Sequence, residues 1–312
     1  MRVLVWDSSA SFPLEHAREL LEEVNATVEE APPPWAGEDV VGLVVWGVRV
    51  GDAELARLPG LRIVATPSVG YDHVDLEAAR RRNVWVCNVP DYCVDEMADS
   101  SLALLLALRR GVVALDRSVR DGRWDCTAAG PLRRLVDTRL GIVGFGRIGR
   151  ALASRALALG LEVWATDPVV PAAEISAAGV RPATLADLLA RCDAVSLHAP
   201  LTSSTEGLLG AAELALMPQG AVLVNTARAG LVDEEALLKA LADGRLAGAA
   251  LDALPVEPPS AEHPAPQAAT LVVTPHAAWY STDAEREVVR RSVLAVRAVL
   301  EGRAPEGALV QP

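Results

Sequence analysis

Residues 140–149 read LGIVGFGRIG, an apolar run that gives way to glycines at 144, 146 and 149. The spacing is GxGxxG, which carries information only where a strand precedes it and a helix follows. Both are indicated here. LGIVGFG (140–146) has the make-up of a buried strand, and RIGRALASRALALG (147–160) places apolar residues at helical spacing. Gly144 permits the tight turn, Gly146 lets the backbone approach a pyrophosphate, and Gly149 lets helix pack on strand. The helix start then offers N–H groups to phosphate. A second apolar run, LEVWATD (161–167), ends on Asp167 about twenty residues past the turn. A carboxylate there accepts both ribose hydroxyls and repels a 2′-phosphate. The stretch predicts a dinucleotide-binding βαβ unit that takes NAD in preference to NADP.

The alternation extends in both directions. Upstream, RVLVW (2–6), VGLVVW (41–46), RIVAT (62–66) and NVWVC (83–87) read as strands. Between them LEHARELLEEV (14–24), DAELARL (52–58) and DLEAARRR (75–82) read as helices. Downstream, DAVSLH (193–198), AVLVNT (221–226), GAALD (248–252) and TLVVTP (270–275) continue the strands, and a helix near 281–302 closes the chain. Such alternation implies parallel sheets in an α/β protein. From Val94 to about Arg120 runs one long segment, apolar nearly all round at its centre, which predicts a buried or interface helix. Residues 255–267 hold five prolines and predict a loop.

Composition narrows the function classes. A chain of 312 residues is long enough for two domains, and 51% hydrophobic with 22% charged residues suits a well-packed globular protein. The formal net charge of −12 repels phosphate backbones, so nucleic acid is not an expected partner. The four cysteines (Cys87, Cys93, Cys126, Cys192) show no CxxC pairing, so neither a metal site nor a disulfide framework is expected. No apolar stretch reaches membrane-spanning length, and the N-terminal run reads as a strand rather than a leader. A cytoplasmic location with reduced thiols is the expectation.

In open α/β sheets ligands bind beyond the carboxyl ends of strands. Arg228 in VNTARAG, Asp252 in GAALD and His276 in VVTPH occupy such ends, and Glu257 follows in the proline-rich loop. An arginine there can hold a carboxylate by a bidentate pair. A histidine can pass a proton to or from a carbonyl or alcohol oxygen, and a nearby glutamate favours the imidazolium. Trp279, three residues past His276, is expected in or beside the same cleft, where its face would favour a substrate with an apolar side chain. His198 also ends a strand and is expected only to line the cofactor cleft. His16 and His263 read as surface residues.

The ordered motifs GFGRIG, ATDP, SLHAPLT, VNTARAGLVDEEAL, ALDALPVEP and TPHAAW resemble the D-isomer-specific 2-hydroxyacid dehydrogenases. The resemblance runs over nearly the whole chain, through SVGYDHVDLEAA (68–79) and VPDYCVDEMADSSLALLLAL (89–108), and TPHAAWYS is most like the C-terminal-binding-protein branch. It implies two doubly wound parallel-sheet domains. A flavodoxin-like substrate domain would comprise residues 1–93 and 281–312, and a Rossmann NAD domain residues 94–280. It implies that Arg228 binds the substrate carboxylate, that His276 is the acid–base residue, and that Glu257 is its partner. Val69, Arg147, Ile148, Asp167, Ala199, Thr205, Thr226, Ala227 and Asp252 would line the NAD site, Asp252 near the nicotinamide amide. The backbone of Val69 and Gly70 would help hold the carboxylate, and the helix after Val94 would form a homodimer contact. The implied reaction is NADH-dependent reduction of a 2-keto acid to a D-2-hydroxy acid, or the reverse. The alternative within the branch is an NADH-responsive, partner-recruiting protein with little turnover. Two positions depart from the family pattern: Ala229 stands for a usual glycine and His73 for a usual asparagine.

Overall fold

The computed structural model describes residues 1–7 and 14–312. The chain divides into two units, Met1–Tyr92 with Ser281–Pro312, and Cys93–Tyr280. In the first unit the strands are β1 (Arg2–Asp7), β2 (Thr27–Glu30), β3 (Val40–Trp46), β4 (Ile63–Ala65) and β5 (Trp85–Cys87). Helix α1 (Leu14–Glu22) follows β1, α2 (Asp52–Ala56) follows β3 and α3 (Leu76–Arg81) follows β4. The strands pair in parallel in the order β2-β1-β3-β4-β5, the flavodoxin-like order. Successive side chains feed two cores. Val3, Val5 and Val44 pack on one face of the sheet, Leu4, Leu43 and Val45 on the other. Because both faces are covered, these strands read as continuous apolar runs rather than alternating ones.

The second unit opens with α4 (Val94–Arg109) and α5 (Val112–Arg120), where the sequence predicted one helix. Gly111 separates them. Its φ of +61° lies in the left-handed region, and a Cβ there would overlap the side chain of Ala129. The chain continues through β6 (Arg139–Val143), α6 (Arg147–Ala158), β7 (Glu162–Thr166), α7 (Ala172–Ala177), β8 (Arg181–Pro182) and α8 (Leu185–Arg191). It then forms β9 (Ala194–Leu197), α9 (Ala211–Leu216), β10 (Ala221–Asn225), α10 (Glu234–Ala242), β11 (Leu246–Leu251) and β12 (Leu271–Val273). All seven strands are parallel, in the order β12-β11-β10-β9-β6-β7-β8. This is the Rossmann order, and the direction of winding reverses between β6 and β9. Leu140 and Ile142 enter one core, with Leu152 and Ala156 of α6, while Val143 enters the core on the opposite face.

The chain returns to the first unit as α11 (Thr282–Leu300) and β13 (Ala308–Val310). Ser281 caps α11, its Oγ accepting the Ala284 N–H at 2.9 Å. Val288, Val289, Val293 and Val296 lay one stripe of this helix into the same core as Val3 and Val5. β13 adds antiparallel to β5, a strand the sequence reading did not anticipate. No described helix is long and apolar enough to cross a membrane.

Candidate active site

The glycine turn sits where the winding of the second sheet reverses. Gly144 has φ of +95°, and a Cβ there would lie 2.6 Å from the carbonyl carbon of His198 and 2.8 Å from the amide of Ala199. Only a glycine lets the ends of β6 and β9 approach this closely. A Cβ at Gly149 would overlap the Gly144 carbonyl, so helix and turn are in direct backbone contact. A Cβ at Gly146 would meet nothing within 4 Å. Gly146 begins α6 with no side-chain cap, so the N–H groups of Arg147, Ile148 and Gly149 open the helix unblocked by a side chain.

Asp167 follows β7. Its Oδ2 accepts the Phe145 N–H at 2.7 Å, and its Oδ1 accepts those of Val169 and Val170 at 2.8 and 3.0 Å. Burial alone would raise its pKa, but these three bonds and the charge of Arg150 hold it below its ordinary value. The result is a fixed carboxylate tied to the glycine turn, as a ribose diol requires. An uncapped helix start, an open face at Gly146 and an anchored anion together fit a dinucleotide.

At the other end of the sheet β12 runs into the turn Thr274–Ala278. His276 has φ of +54°, a conformation that is uncommon outside glycine. The turn is held from within by Asp252, which is 2% exposed. Its Oδ1 accepts from Thr274 Oγ1 at 2.6 Å and the Ala277 N–H at 2.8 Å, and its Oδ2 from the Ala278 N–H at 2.9 Å. The Asp252 carbonyl accepts the His276 N–H at 2.7 Å. His276 Nδ1 meets Glu257 Oε2 at 2.8 Å, while Glu257 Oε1 accepts the Leu254 N–H at 2.8 Å. Burial would raise the Glu257 pKa, but the His276 contact, the Leu254 N–H and the charge of Arg228 together hold it below its ordinary value. Arg228, Glu257 and His276 thus share one electrostatic neighbourhood.

Asn225, which sequence reasoning passed over, shapes the Arg228 turn. It is fully buried at the end of β10, with Nδ2 donating to the Arg228 carbonyl at 2.8 Å and Oδ1 accepting the Ala227 N–H at 3.1 Å. The available signal was an amide inside an apolar strand. The neighbouring Thr226 bonds Ser101 Oγ at 2.7 Å, and Thr205 uses its hydroxyl on the Pro200 carbonyl at 2.6 Å, folding the 200–205 turn. Ala229 lines a small, mostly apolar cavity with Val232, Glu234, Leu237, Leu251, Ala253 and Pro255. His198 bonds Ser196 Oγ at 2.8 Å through Nε2. The residue keeps some exposed surface, yet its ring is enclosed, and burial pushes its pKa down to about 4. His263 is half-buried rather than fully at the surface: its side chain is 18% exposed and lies 3.5 Å from Glu234. Trp279 is half-buried and packs edge-on to Tyr280, centroids 5.6 Å apart. Val69 and Gly70 lie in the first unit, on the loop after β4.

The fold and this strand-edge constellation define a dinucleotide-dependent oxidoreductase. Comparison with known proteins makes it specific. Residues 102–278 match the model of the D-isomer specific 2-hydroxyacid dehydrogenase, NAD binding domain. A glycerate dehydrogenase of Methylorubrum extorquens is 37% identical over 261 residues, 80% of this chain and 79% of its own. A D-3-phosphoglycerate dehydrogenase of Mycobacterium bovis is 40% identical over 83% of this chain, which spans about half (49%) of that relative. A Thermus thermophilus protein of known crystal structure is 38% identical, with TM-score 0.87 over 99% of this chain and 100% of its own. The chain belongs to the D-isomer-specific 2-hydroxyacid dehydrogenase family, and its cofactor is NAD.

Proposed function

We propose that the protein reduces a 2-keto acid to the D-2-hydroxy acid, or runs the reverse reaction, with Arg228, His276 and Glu257 as its catalytic residues. Bound NAD supplies or accepts the hydride. Arg228 holds the substrate carboxylate and orients the carbonyl. With His276 Nδ1 engaged by Glu257, the proton is exchanged at Nε2: given to the carbonyl oxygen in reduction, taken from the hydroxyl in oxidation. Glu257 stays ionised and stabilises the imidazolium, while Asp252 and Asn225 hold the two turns in shape. Val69 and Gly70 are assigned to the carboxylate through their N–H groups. The glycine turn, Val69, Arg147, Ile148, Asp167, Ala199, Thr205, Thr226, Ala227 and Asp252 are assigned to NAD. The 2.8 Å contact between Glu257 and a histidine held at positive φ carries this reading. Its test is NADH oxidation with glyoxylate, hydroxypyruvate, pyruvate, phenylpyruvate and 4-methylthio-2-oxobutyrate. Turnover on at least one acid, lost in His276→Ala, supports it, and NADH binding without turnover on any acid contradicts it.

The finer reading concerns the substrate side chain. Trp279, half-buried in the turn that carries His276, favours apolar carbons or sulfur over a bare hydrogen. Two or three extra buried methylenes at ~0.8 kcal/mol each amount to one to two orders of magnitude in kcat/KM. The name of the glycerate dehydrogenase relative suggests hydroxypyruvate as the polar competitor in that panel. A second copy of the chain is the proposed partner. Val112 and Val119 of α5 are at least half exposed and Trp124, just after the helix, is 93% exposed, apolar side chains that a dimer contact along this segment would cover.

A further inference from the structure

The loop after β4 reads Pro67-Ser68-Val69-Gly70-Tyr71, and three consecutive carbonyls in it each meet a donor from within the first unit. The Ser68 carbonyl accepts the Val89 N–H at 3.0 Å. The Val69 carbonyl accepts from Asn88 Nδ2 at 2.6 Å, and the Gly70 carbonyl from Ser68 Oγ at 2.6 Å. In a trans peptide the C=O and N–H of one plane point in opposite directions. Fixing these three carbonyls therefore directs the N–H groups of Val69, Gly70 and Tyr71 away from their donors. Successive amides presented in this way form an anion-binding concavity. The donors are themselves anchored. Ser68 and Asn88 are 5% and 7% exposed, and the Asn88 N–H donates to the Gly307 carbonyl at 3.1 Å. A Cβ at Gly307 would overlap the Asn88 carbonyl, so the turn before β13 approaches the asparagine at backbone distance.

We infer that Asn88 and Ser68 are positioning residues for the carboxylate of the 2-keto acid: without touching it, they aim three backbone N–H groups that bind it. The inference rests on the assignment of Val69 and Gly70 to the substrate carboxylate, and adds Tyr71 to it. An asparagine and a serine that serve only to stabilise the loop would change unfolding temperature and leave KM alone. Positioning residues change the KM for the keto acid while NADH affinity and kcat hold.

The experiment measures steady-state KM and kcat for the best acid of the panel, the affinity of oxamate for the NADH-loaded enzyme, and NADH affinity. The variants are Asn88→Ala, Asn88→Asp, Ser68→Ala, Ser68→Thr and Gly70→Pro. Asn88→Ala and Ser68→Ala should each raise KM and weaken oxamate about tenfold, the order expected for misaligned hydrogen bonds to a charged group. NADH affinity and kcat should stay within about twofold on the same scale. Asn88→Asp, which sets a carboxylate against the Val69 carbonyl, should be worst, and Ser68→Thr, which keeps the hydroxyl, should recover most of the loss. Gly70→Pro removes one of the N–H groups themselves and separates the two levels of the claim. If Gly70→Pro weakens oxamate but the alanine variants do not, the amides bind the carboxylate and the positioning role is wrong. If Gly70→Pro keeps NADH binding and the wild-type unfolding temperature and still binds oxamate normally, the underlying assignment fails. Should Gly70→Pro not fold, unchanged KM in folded Asn88→Ala and Ser68→Ala still overturns the inference.

Discussion

Glu257 sits between an imidazole and the charge of Arg228, which hold its pKa below the ordinary value, so the proposed mechanism gives the working proton to His276. Reduction needs the imidazolium and falls as pH rises; oxidation needs the neutral ring and falls as pH drops. Glu257→Gln keeps the shape but loses the charge held 2.8 Å from His276 Nδ1, so kcat should fall by about tenfold or more while NADH affinity holds, and an unchanged kcat would separate Glu257 from the mechanism. Arg228→Ala should cost catalysis far more than NADH affinity, because a charge-assisted pair of about 1.5–3 kcal/mol is lost from the substrate side only. Keto-acid turnover preserved within a factor of three would remove Arg228 from that role. His198 gives a stability signature instead. Its folded pKa of about 4 lies below its ordinary 6.5, so the unfolded chain binds the extra proton between those values. Stability is intact above pH 6.5 and declines as pH falls toward 4, by on the order of 3 kcal/mol. Unfolding temperature should therefore fall more steeply over that range in the wild type than in His198→Asn. Equal slopes would show that the ring is not held neutral by burial. At this scale the sequence displayed Asp167, Arg228 and His276 because each ends an apolar run. It hid Asn225, Asn88 and Ser68, whose work is to bond backbone carbonyls and amides that only the folded loops bring into reach.

The βαβ turn at Gly144–Gly149 was fully readable, because its glycines answer to local sterics that act within the motif itself. Gly149→Ala should test it: the added methyl must push α6 from the Gly144 carbonyl, lowering both stability and NADH affinity, the latter by tenfold or more, about 1.4 kcal/mol. Wild-type affinity in that variant would mean that the helix start is not the phosphate site. The long segment after Val94 was less readable. The apolar pattern runs straight through Gly111, and only the fold shows that its positive φ and the approach of Ala129 divide the segment there. Strands β2, β8 and β13 were missed for a shared reason. They lie at sheet edges and are four, two and three residues long, and β2 buries only Val28 while β8 is Arg-Pro. Edge strands carry little of the apolar signal that marks central ones.

The whole molecule couples an acidic surface to two sheets whose strand orders are those of flavodoxin-like and Rossmann folds. If the apolar set around α5 meets a second copy, Trp124→Glu should convert a dimer to a monomer in sedimentation or light scattering. A wild type already monomeric at micromolar concentration would refute that contact. Cofactor choice is also a property of the intact chain. NADH should bind at least tenfold more tightly than NADPH, about 1.4 kcal/mol, if Asp167, anchored by the Phe145 N–H, takes the ribose hydroxyls as proposed and so repels a 2′-phosphate. The substrate preference should follow Trp279: 4-methylthio-2-oxobutyrate or phenylpyruvate above glyoxylate in kcat/KM, with the gap narrowed in Trp279→Ala. The activity proposed for the protein is stereospecific, NADH-dependent reduction of a 2-keto acid by the Arg228–His276–Glu257 set. Its most direct measurement is NADH consumption by the wild type on the keto-acid panel, with chiral analysis of the product and His276→Ala alongside. Formation of the D-hydroxy acid, abolished in the variant while NADH still binds, is the predicted result. An L-product, or the same turnover in His276→Ala, would contradict it.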